Sequence, residues 1–301
     1  MLTRWLLAAP VIAFLISCNG GTGGGAAKQG YPLASELASA IPADTIALAG
    51  GRLDLVQQSP AFVQLQQMLP EGALLGVTKE FGIDLRKDIK EFAVAYNGRE
   101  ALLLANGSFH APDIIAKVAA TPGAERSEFK GKALAARATI GIAALSNTVL
   151  AAGPVTRLHE CIDRLAQSAK LDERWAAGLR SLPAQTHLWF LGTGGVTLNL
   201  PRGSNLGNLD KILASVDQIA VSANLSDGVH LIAKASARDA ESAKQLHTQL
   251  RGLIGMGRLS TPDDKPELLK LYDRIQTKLA DKQIDVNIDI PAATMELLLK
   301  R

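Results

Sequence analysis

Aromatic side chains make up only 4% of the 301 residues, so a buried core has to be built from Leu, Ile, Val and Ala. The hydrophobic share of 47% is ample for that purpose. Cysteine is nearly absent. Cys18 and Cys161 are the two in the chain, and if Cys18 is modified no internal disulfide can form. A large excess of either charge is missing as well: the formal net charge is +3, falling to +2 without the segment that carries Arg4. No cluster of Lys and Arg of the kind that tracks a phosphate backbone occurs, so nucleic acid is not an expected partner.

The residue patterns that carry chemistry are also sparse. The five histidines, His110, His159, His187, His230 and His247, show no HExxH or other close two-ligand spacing. Gly203-Ser204-Asn205-Leu206-Gly207 has the wrong spacing for a nucleophile elbow. Gly192-Thr193-Gly194-Gly195 lacks the Lys-Ser/Thr ending of a phosphate cradle, and Gly252–Gly257 follows a helix instead of opening one. Asp285 and Asp289 share one strand face, a weak calcium pattern that reads as a solvated surface. Trp189 and Cys161 read as core. No catalytic, cofactor-binding or metal-ligating set is assigned, and no cofactor is expected.

What is present begins at the N-terminus. Arg4 and the apolar run Trp5–Ile16 have the form of an export signal, too short for the roughly 20 residues a membrane-spanning helix needs. The run ends in Leu15-Ile16-Ser17-Cys18, which resembles the bacterial lipobox. That resemblance implies cleavage before Cys18, a diacylglyceryl group on its sulfur and acylation of the new amine, so Cys18 is the expected lipidation site. Asn19–Gly30, with its glycine run at 20–25, reads as a flexible tether that reaches about 40 Å when extended. Asn19 stands where an aspartate often marks retention at an inner membrane. By analogy with the lipoprotein class, that favours an outer membrane facing the periplasm, or the cell surface.

The body reads as α+β. Two tandem related units of ferredoxin-like, βαββαβ character are expected, with mainly antiparallel sheets and extra strands in the first. The divisions are 1–17 for the signal, 18–30 for the acylated Cys18 and tether, 31–172 for the first unit and 173–301 for the second. The hairpin and helix over 216–253 are the clearest local signal, and 92–119 has the same sequence of elements. A second match joins 41–51 to 182–192. There Pro42, Ala43, Thr45 and Gly51 recur, in the same places, as Pro183, Ala184, Thr186 and Gly192. Two separated matches in one order argue for internal duplication. Helices are further expected at 33–41, 59–69, 155–170, 208–214, 239–253, 266–280 and 291–299. The last strand alternates Ile284, Val286, Ile288 and Ile290 with Asp285, Asn287 and Asp289, as a strand with one wet face does. The first hairpin is apolar on both faces and is expected to be the more covered of the two.

The run Leu250–Ile275, with Gly252-Leu253-Ile254-Gly255 and Arg258-Leu259-Ser260-Thr261-Pro262-Asp263, joins Ile41–Thr45 and the lipobox in a recognisable set. In these segments the chain resembles a group of uncharacterised bacterial lipoproteins of similar length. The resemblance implies an envelope location and no assigned chemistry. The expected function is therefore that of a lipid-anchored, non-catalytic envelope protein, a binding or structural module held to the membrane through Cys18. Its further partner is an unidentified protein or small molecule. A periplasmic carrier of an apolar ligand is the alternative, and an envelope hydrolase assembled from distant loops is a third class.

Overall fold

Strand Ala47–Arg52 (β1) pairs antiparallel with its sequence neighbour Ile89–Tyr96 (β2), and β2 pairs antiparallel with Ala101–Gly107 (β3). The computed structural model describes residues 33–59, 62, 84, 87–194, 216–262, 267–292 and 294. These fall mainly into two compact units, 33–58 with 87–184, and 185–194 with 216–292. Both are α+β and every strand pairing described within them is antiparallel.

In the first unit, helix Ser35–Ala40 (α1) precedes β1 and the short helix Leu53–Val56 (α2) follows it. After the β1–β2–β3 meander come helix Ala111–Ala119 (α3) and strands Glu125–Phe129 (β4), Lys132–Arg137 (β5), Ile140–Ala144 (β6) and Val149–Pro154 (β7). Helices Val155–Ala166 (α4) and Glu173–Ser181 (α5) complete it. The strand order is β1-β2-β3-β7-β6-β5-β4. Small residues dominate the rows across this sheet, as the shortage of aromatics requires. Leu134, Ala143, Ala151, Leu104 and Ala93 form one cross-strand row, and all five are fully buried. The next row carries Ala144, Leu150 and Ala105, onto which α3 sets Ile114 and Ile115. Burying side chains of that size stabilises by about 1.5–3 kcal/mol each. Helix α4 packs on β6 and β7, and α1 packs on β3 and on α4.

The first hairpin closes through Asn97, whose side-chain oxygen accepts from the amides of Arg99 and Glu100 at 3.0 and 2.9 Å. Gly98 takes a φ of +95°, a conformation that favours glycine. Its cover is less complete than the apolar pattern implies. Leu103, opposite Val94, is 36% exposed.

The second unit runs Leu188–Thr193 (β8), Val216–Asn224 (β9), Gly228–Ala237 (β10), Ala240–Leu259 (α6), Glu267–Tyr272 (α7), Gln276–Ala280 (β11) and Gln283–Pro291 (β12). Its strand order is β11-β12-β10-β9-β8. Asp239 caps α6 by accepting from the Ser242 amide at 2.7 Å. Ala243, Leu246 and Leu250 then meet the row Ile219, Ala235, Ile284 and Leu279. The opposite face of these strands is polar, with Lys234, Asp285 and Lys278 side by side.

Several sequence expectations change. The ferredoxin-like order requires the first two strands of a unit to run parallel around a third, but β1–β2 and β8–β9 are direct antiparallel neighbours. Among the described residues, each unit sets three successive strands side by side with a helix after the third, and the chain's later strand, β7 or β12, returns beside that third strand. The helix expected over 266–280 stops at Tyr272. Gln276–Ala280 is instead a strand, because Leu279 and Thr277 alternate inward once Asp281, at φ +50°, turns the chain onto β12. Helix α6 continues past its glycines to Leu259, where Gly257 leaves room for the Tyr272 ring; a Cβ there would lie 2.6 Å from the ring. Helix α5, which the periodicity does not announce, belongs to the first unit, so the division falls at 184/185. The helices expected at 59–69, 208–214 and 291–299 lie mostly or wholly outside the described residues. Among the described residues no helix is long and apolar enough to cross a membrane.

Gly228 tests the β10–β12 pairing. It has a φ of +156°, and a Cβ added to it would sit 2.1 Å from the Ile290 carbonyl oxygen. Gly228→Ala is expected to cost about 1–3 kcal/mol, measured as a lowered urea midpoint. An unchanged midpoint contradicts this close approach.

Candidate functional site

Helix α4 presents two adjoining stripes. Leu158 and Ile162 are buried, and one residue ahead of each stand Arg157 and Cys161, which are buried too. Arg164 extends the second stripe by one turn. Burial pushes the Cys161 thiol up to about 12, against the pull of Arg164 and Arg157, so it stays protonated and unreactive at neutral pH. Cys161 is packing, as its helical position implies.

Arg157 is 2% exposed, an unusual place for a guanidinium. Its Nη1 donates to Asp44 Oδ2 at 2.8 Å and to Glu160 Oε2 at 2.6 Å. The contact with Asp44 spans 113 residues and lays the 41–45 segment along α4. Burial acts to raise the Asp44 carboxyl, but hydrogen bonds from Asn97 and Arg157 outweigh it and hold the group below its usual range. Nε and Nη2 of Arg157 meet no acceptor among the described residues.

The far end of α4 and the start of α5 form a cleft with the same segment. Arg164 Nη2 donates to the Lys170 carbonyl at 2.7 Å, drawing the 167–170 loop back under the helix. Asp172 caps α5 by accepting from the Arg174 amide at 3.0 Å. The Arg174 guanidinium lies over the Trp175 ring at 5.1 Å and reaches the carbonyls of Ala43 and Thr45 at 3.4 Å. A cavity of about 190 Å³ opens here, lined by 41–43, Arg164, 170–172 and Trp175. Two N–H groups of lining residues, Arg164 Nε and Trp175 Nε1, are buried behind it and have no acceptor among the described residues. A buried N–H left unpaired costs about 1–3 kcal/mol. None of Arg157, Arg164, Trp175 or Asp44 is assigned a role by the sequence patterns. The one local signal is the Asp172-Glu173 pair ahead of Trp175 and Leu179, a capped helix start with its apolar residues four apart.

The residues singled out by type lie elsewhere. His230 has Asp227 Oδ1 2.6 Å from Nε2 and Asp289 Oδ1 2.7 Å from Nδ1, so Asp289 is engaged across β10–β12. Asp285 accepts from Gln283 Nε2 at 2.7 Å. The two carboxylates of the calcium pattern are thus held by different partners. His187 Nδ1 accepts from the Leu225 amide at 3.1 Å, His247 Nε2 is 3.0 Å from Thr277 Oγ1, and His110 Nδ1 is 3.0 Å from Asp113. His159 stacks on Phe129 at 4.0 Å. Trp189 is buried in the second unit at 3% exposure. Among the described residues no group of three or more His, Cys, Asp or Glu is arranged around a common metal position. Cys18 and 203–207 lie outside the described residues.

A second charged group sits where β1 meets β2. Arg52 holds Asp54 in two hydrogen bonds of 2.9 and 2.6 Å, keeping that carboxyl below its usual range. Opposite Arg52 in register stands Glu91, 6% exposed, accepting from the Ala34 amide at 2.8 Å. Burial pushes the Glu91 carboxyl up, and the Ala34 bond and Arg52 charge do not cancel the effect.

Two outcomes follow from these charges. A raised carboxyl costs folding free energy as pH rises past its ordinary value of 4.5, whereas Asp54 contributes stability that is lost as pH falls through its lowered value. Glu91→Gln, which keeps the acceptor for Ala34, is therefore expected to gain stability relative to the parent at pH 7 and to lose that advantage towards pH 4. Urea melts at both pH values measure it, and an advantage that grows on acidification contradicts the sign. Arg157→Met retains volume and removes the buried charge, so stability is expected to change by less than about 1 kcal/mol while the Asp44 carboxyl titrates higher by NMR.

No family model matches the chain, and no curated protein matches it. Solved structures do. Crystal form III of TP0453 aligns over 88% of this chain and 98% of that one, with a TM-score of 0.52 at 8% identity. Crystal form I aligns over 87% and 96%, with a TM-score of 0.47 at 9% identity. At such identity the likeness to the first concerns the fold alone.

Proposed function

We propose that this chain is a lipid-anchored, non-catalytic protein of the cell envelope, whose α+β body acts as a binding or structural module. The observation that carries the anchor is Leu15-Ile16-Ser17-Cys18 followed at once by the glycine run at 20–25. An acylated cysteine on a loose tether lets a globular body stand off a bilayer. Asn19 favours the outer membrane facing the periplasm, or the cell surface. The binding role is supported by the cavity of about 190 Å³ between the 41–43 segment and the α4–α5 junction, lined by Ile41, Pro42, Leu171 and Trp175 beside Arg164, Lys170 and Asp172.

The duplication belongs to the same proposal. β1 opens at Ala47 and β8 at Leu188, which hold the same place in the matched segments 41–51 and 182–192. β3 and β10 are the second strands of the two matched hairpins, and each meander leads into a helix and a returning strand beside the third. Thr45 and Thr186, equivalent in the first match, are both buried just before the opening strand. Two copies of one meander–helix unit account for both matches.

Metabolic labelling with palmitate tests the anchor. Label is expected on the parent protein and on Cys161→Ala, and is expected to vanish in Cys18→Ala. Unlabelled parent protein rejects the anchored reading.

A further inference from the structure

We propose that strand β4 pairs with β4 of a second copy of this chain, antiparallel about Ser127, to form a two-fold dimer through the sheet edge. This goes beyond the binding-module reading and depends neither on the lipid anchor nor on the cavity. β4 ends the strand order of the first unit, and among the described residues its strand partner is β5 alone. An edge of this kind presents unpaired N–H and C=O groups and is a template for another strand. It is also held in place before any partner arrives. The Phe129 ring stacks on His159 at 4.0 Å, and Lys130 Nζ stands 2.6 Å from Asp163 Oδ1.

The register follows from the hairpin. Phe129 faces Lys132 across the two-residue turn Lys130-Gly131, both residues of which have positive φ. Phe129, Ser127 and Glu125 therefore direct their backbone groups to β5, and those of Arg126 and Glu128 point outward. A second β4 meets these groups only where Arg126 or Glu128 stands opposite Arg126 or Glu128. Setting either residue against itself opposes like charges. Setting Arg126 against Glu128 of the other copy, with Ser127 facing Ser127, places opposite charges in both pairs. Arg126 and Glu128 are exposed, share one face and have no ion-pair partner among the described residues. Charges on an edge usually repel other strands, but this alternation admits one partner in one register. The helices leave room. α3 lies against β4, β5 and β6, and β5 would stand three strand spacings, roughly 14 Å, from β5 of the second copy. Packed helices need only about 8–10 Å between axes. An edge of five residues covers less than the roughly 1,200–2,000 Å² of a stable interface, so the dimer is weak and forms at high concentration.

The test uses the full chain with Cys18→Ala, whose one remaining thiol, Cys161, is buried. Sedimentation velocity over a concentration series is expected to show a monomer–dimer equilibrium. Arg126→Glu and Glu128→Arg are each expected to weaken it about ten-fold, since each turns both cross-strand pairs into like charges. An equimolar mixture of the two variants is expected to restore it, because every pair then joins opposite charges. Recovery in the mixture also shows that neither variant has misfolded. Ser127→Cys supplies an independent reading. Residues opposite each other in a non-hydrogen-bonded pair have Cα atoms about 4.5 Å apart, within reach of a disulfide. Mild oxidation of Ser127→Cys is therefore expected to give a reducible dimer, in lower yield when Arg126→Glu is added. Monomer at every concentration leaves the edge to a strand of another protein and overturns the proposal. A dimer that both charge variants leave intact, a mixture that does not recover, or a Ser127→Cys chain that stays unlinked overturns it as well. Palmitate labelling reads Cys18 in the parent protein and sedimentation reads the edge without it, so failure of the anchor and failure of the dimer are told apart.

Discussion

The third strand of each meander is the constraint on which each unit depends. β3 is hydrogen-bonded to β2 on one side and β7 on the other, and β10 likewise to β9 and β12. A strand buried in this way cannot leave its amides and carbonyls unpaired, so the chain must bring a later strand back beside it. The helix that follows, α3 or α6, takes the chain across the sheet and covers one face during the return. The extra strands of the first unit and the short β11–β12 hairpin of the second are two ways to complete the same requirement. Antiparallel pairing to the preceding strand is also what separates these units from a split βαβ arrangement.

With few aromatics, the core achieves its density through rows of Ala and Leu that let helices lie close to the sheet. Close approach has a cost at the margins. Arg157 is drawn below the surface where α4 meets the 41–45 segment, and it is paired there with Asp44 and Glu160, each roughly half-exposed. Such an arrangement adds little net stability, because the desolvation of the guanidinium offsets much of the attraction. It does fix position: the 41–45 segment is tied to a helix far along the chain.

Much of the secondary structure is legible in the sequence. The hairpins announce themselves through Asn97-Gly98 and Asp227-Gly228 between apolar runs, and α6 through Asp239 ahead of Ala243, Leu246 and Leu250. Errors arise where a local pattern carries two meanings. Thr277 and Leu279 satisfy a helix continuing from α7 as well as a strand, and only the partner strand β12 selects between them. Helix α5 escapes the pattern because it is only nine residues long, about two and a half turns, although Trp175, Ala176 and Leu179 share its buried face. With that helix goes Trp175, and with Trp175 the cleft. Searching by residue type points to the histidines and to Asp285 and Asp289, whose partners are assigned by cross-strand register and differ for each.

The sequence by itself determined the antiparallel α+β class, the hairpin–helix pattern at 92–119 and 216–253, the aliphatic core and the place of Cys18 directly after an apolar run. Each of these depends on neighbours within a few residues, or on composition, and so is written locally. The strand order, the burial of Arg157 and the meeting of Arg164 with Trp175 and the 41–43 segment were decided only by tertiary structure. Those features depend on which distant surfaces come into contact. The free energy that sets them is the pairing of a buried third strand and the packing of helices across it, and no local pattern reports either.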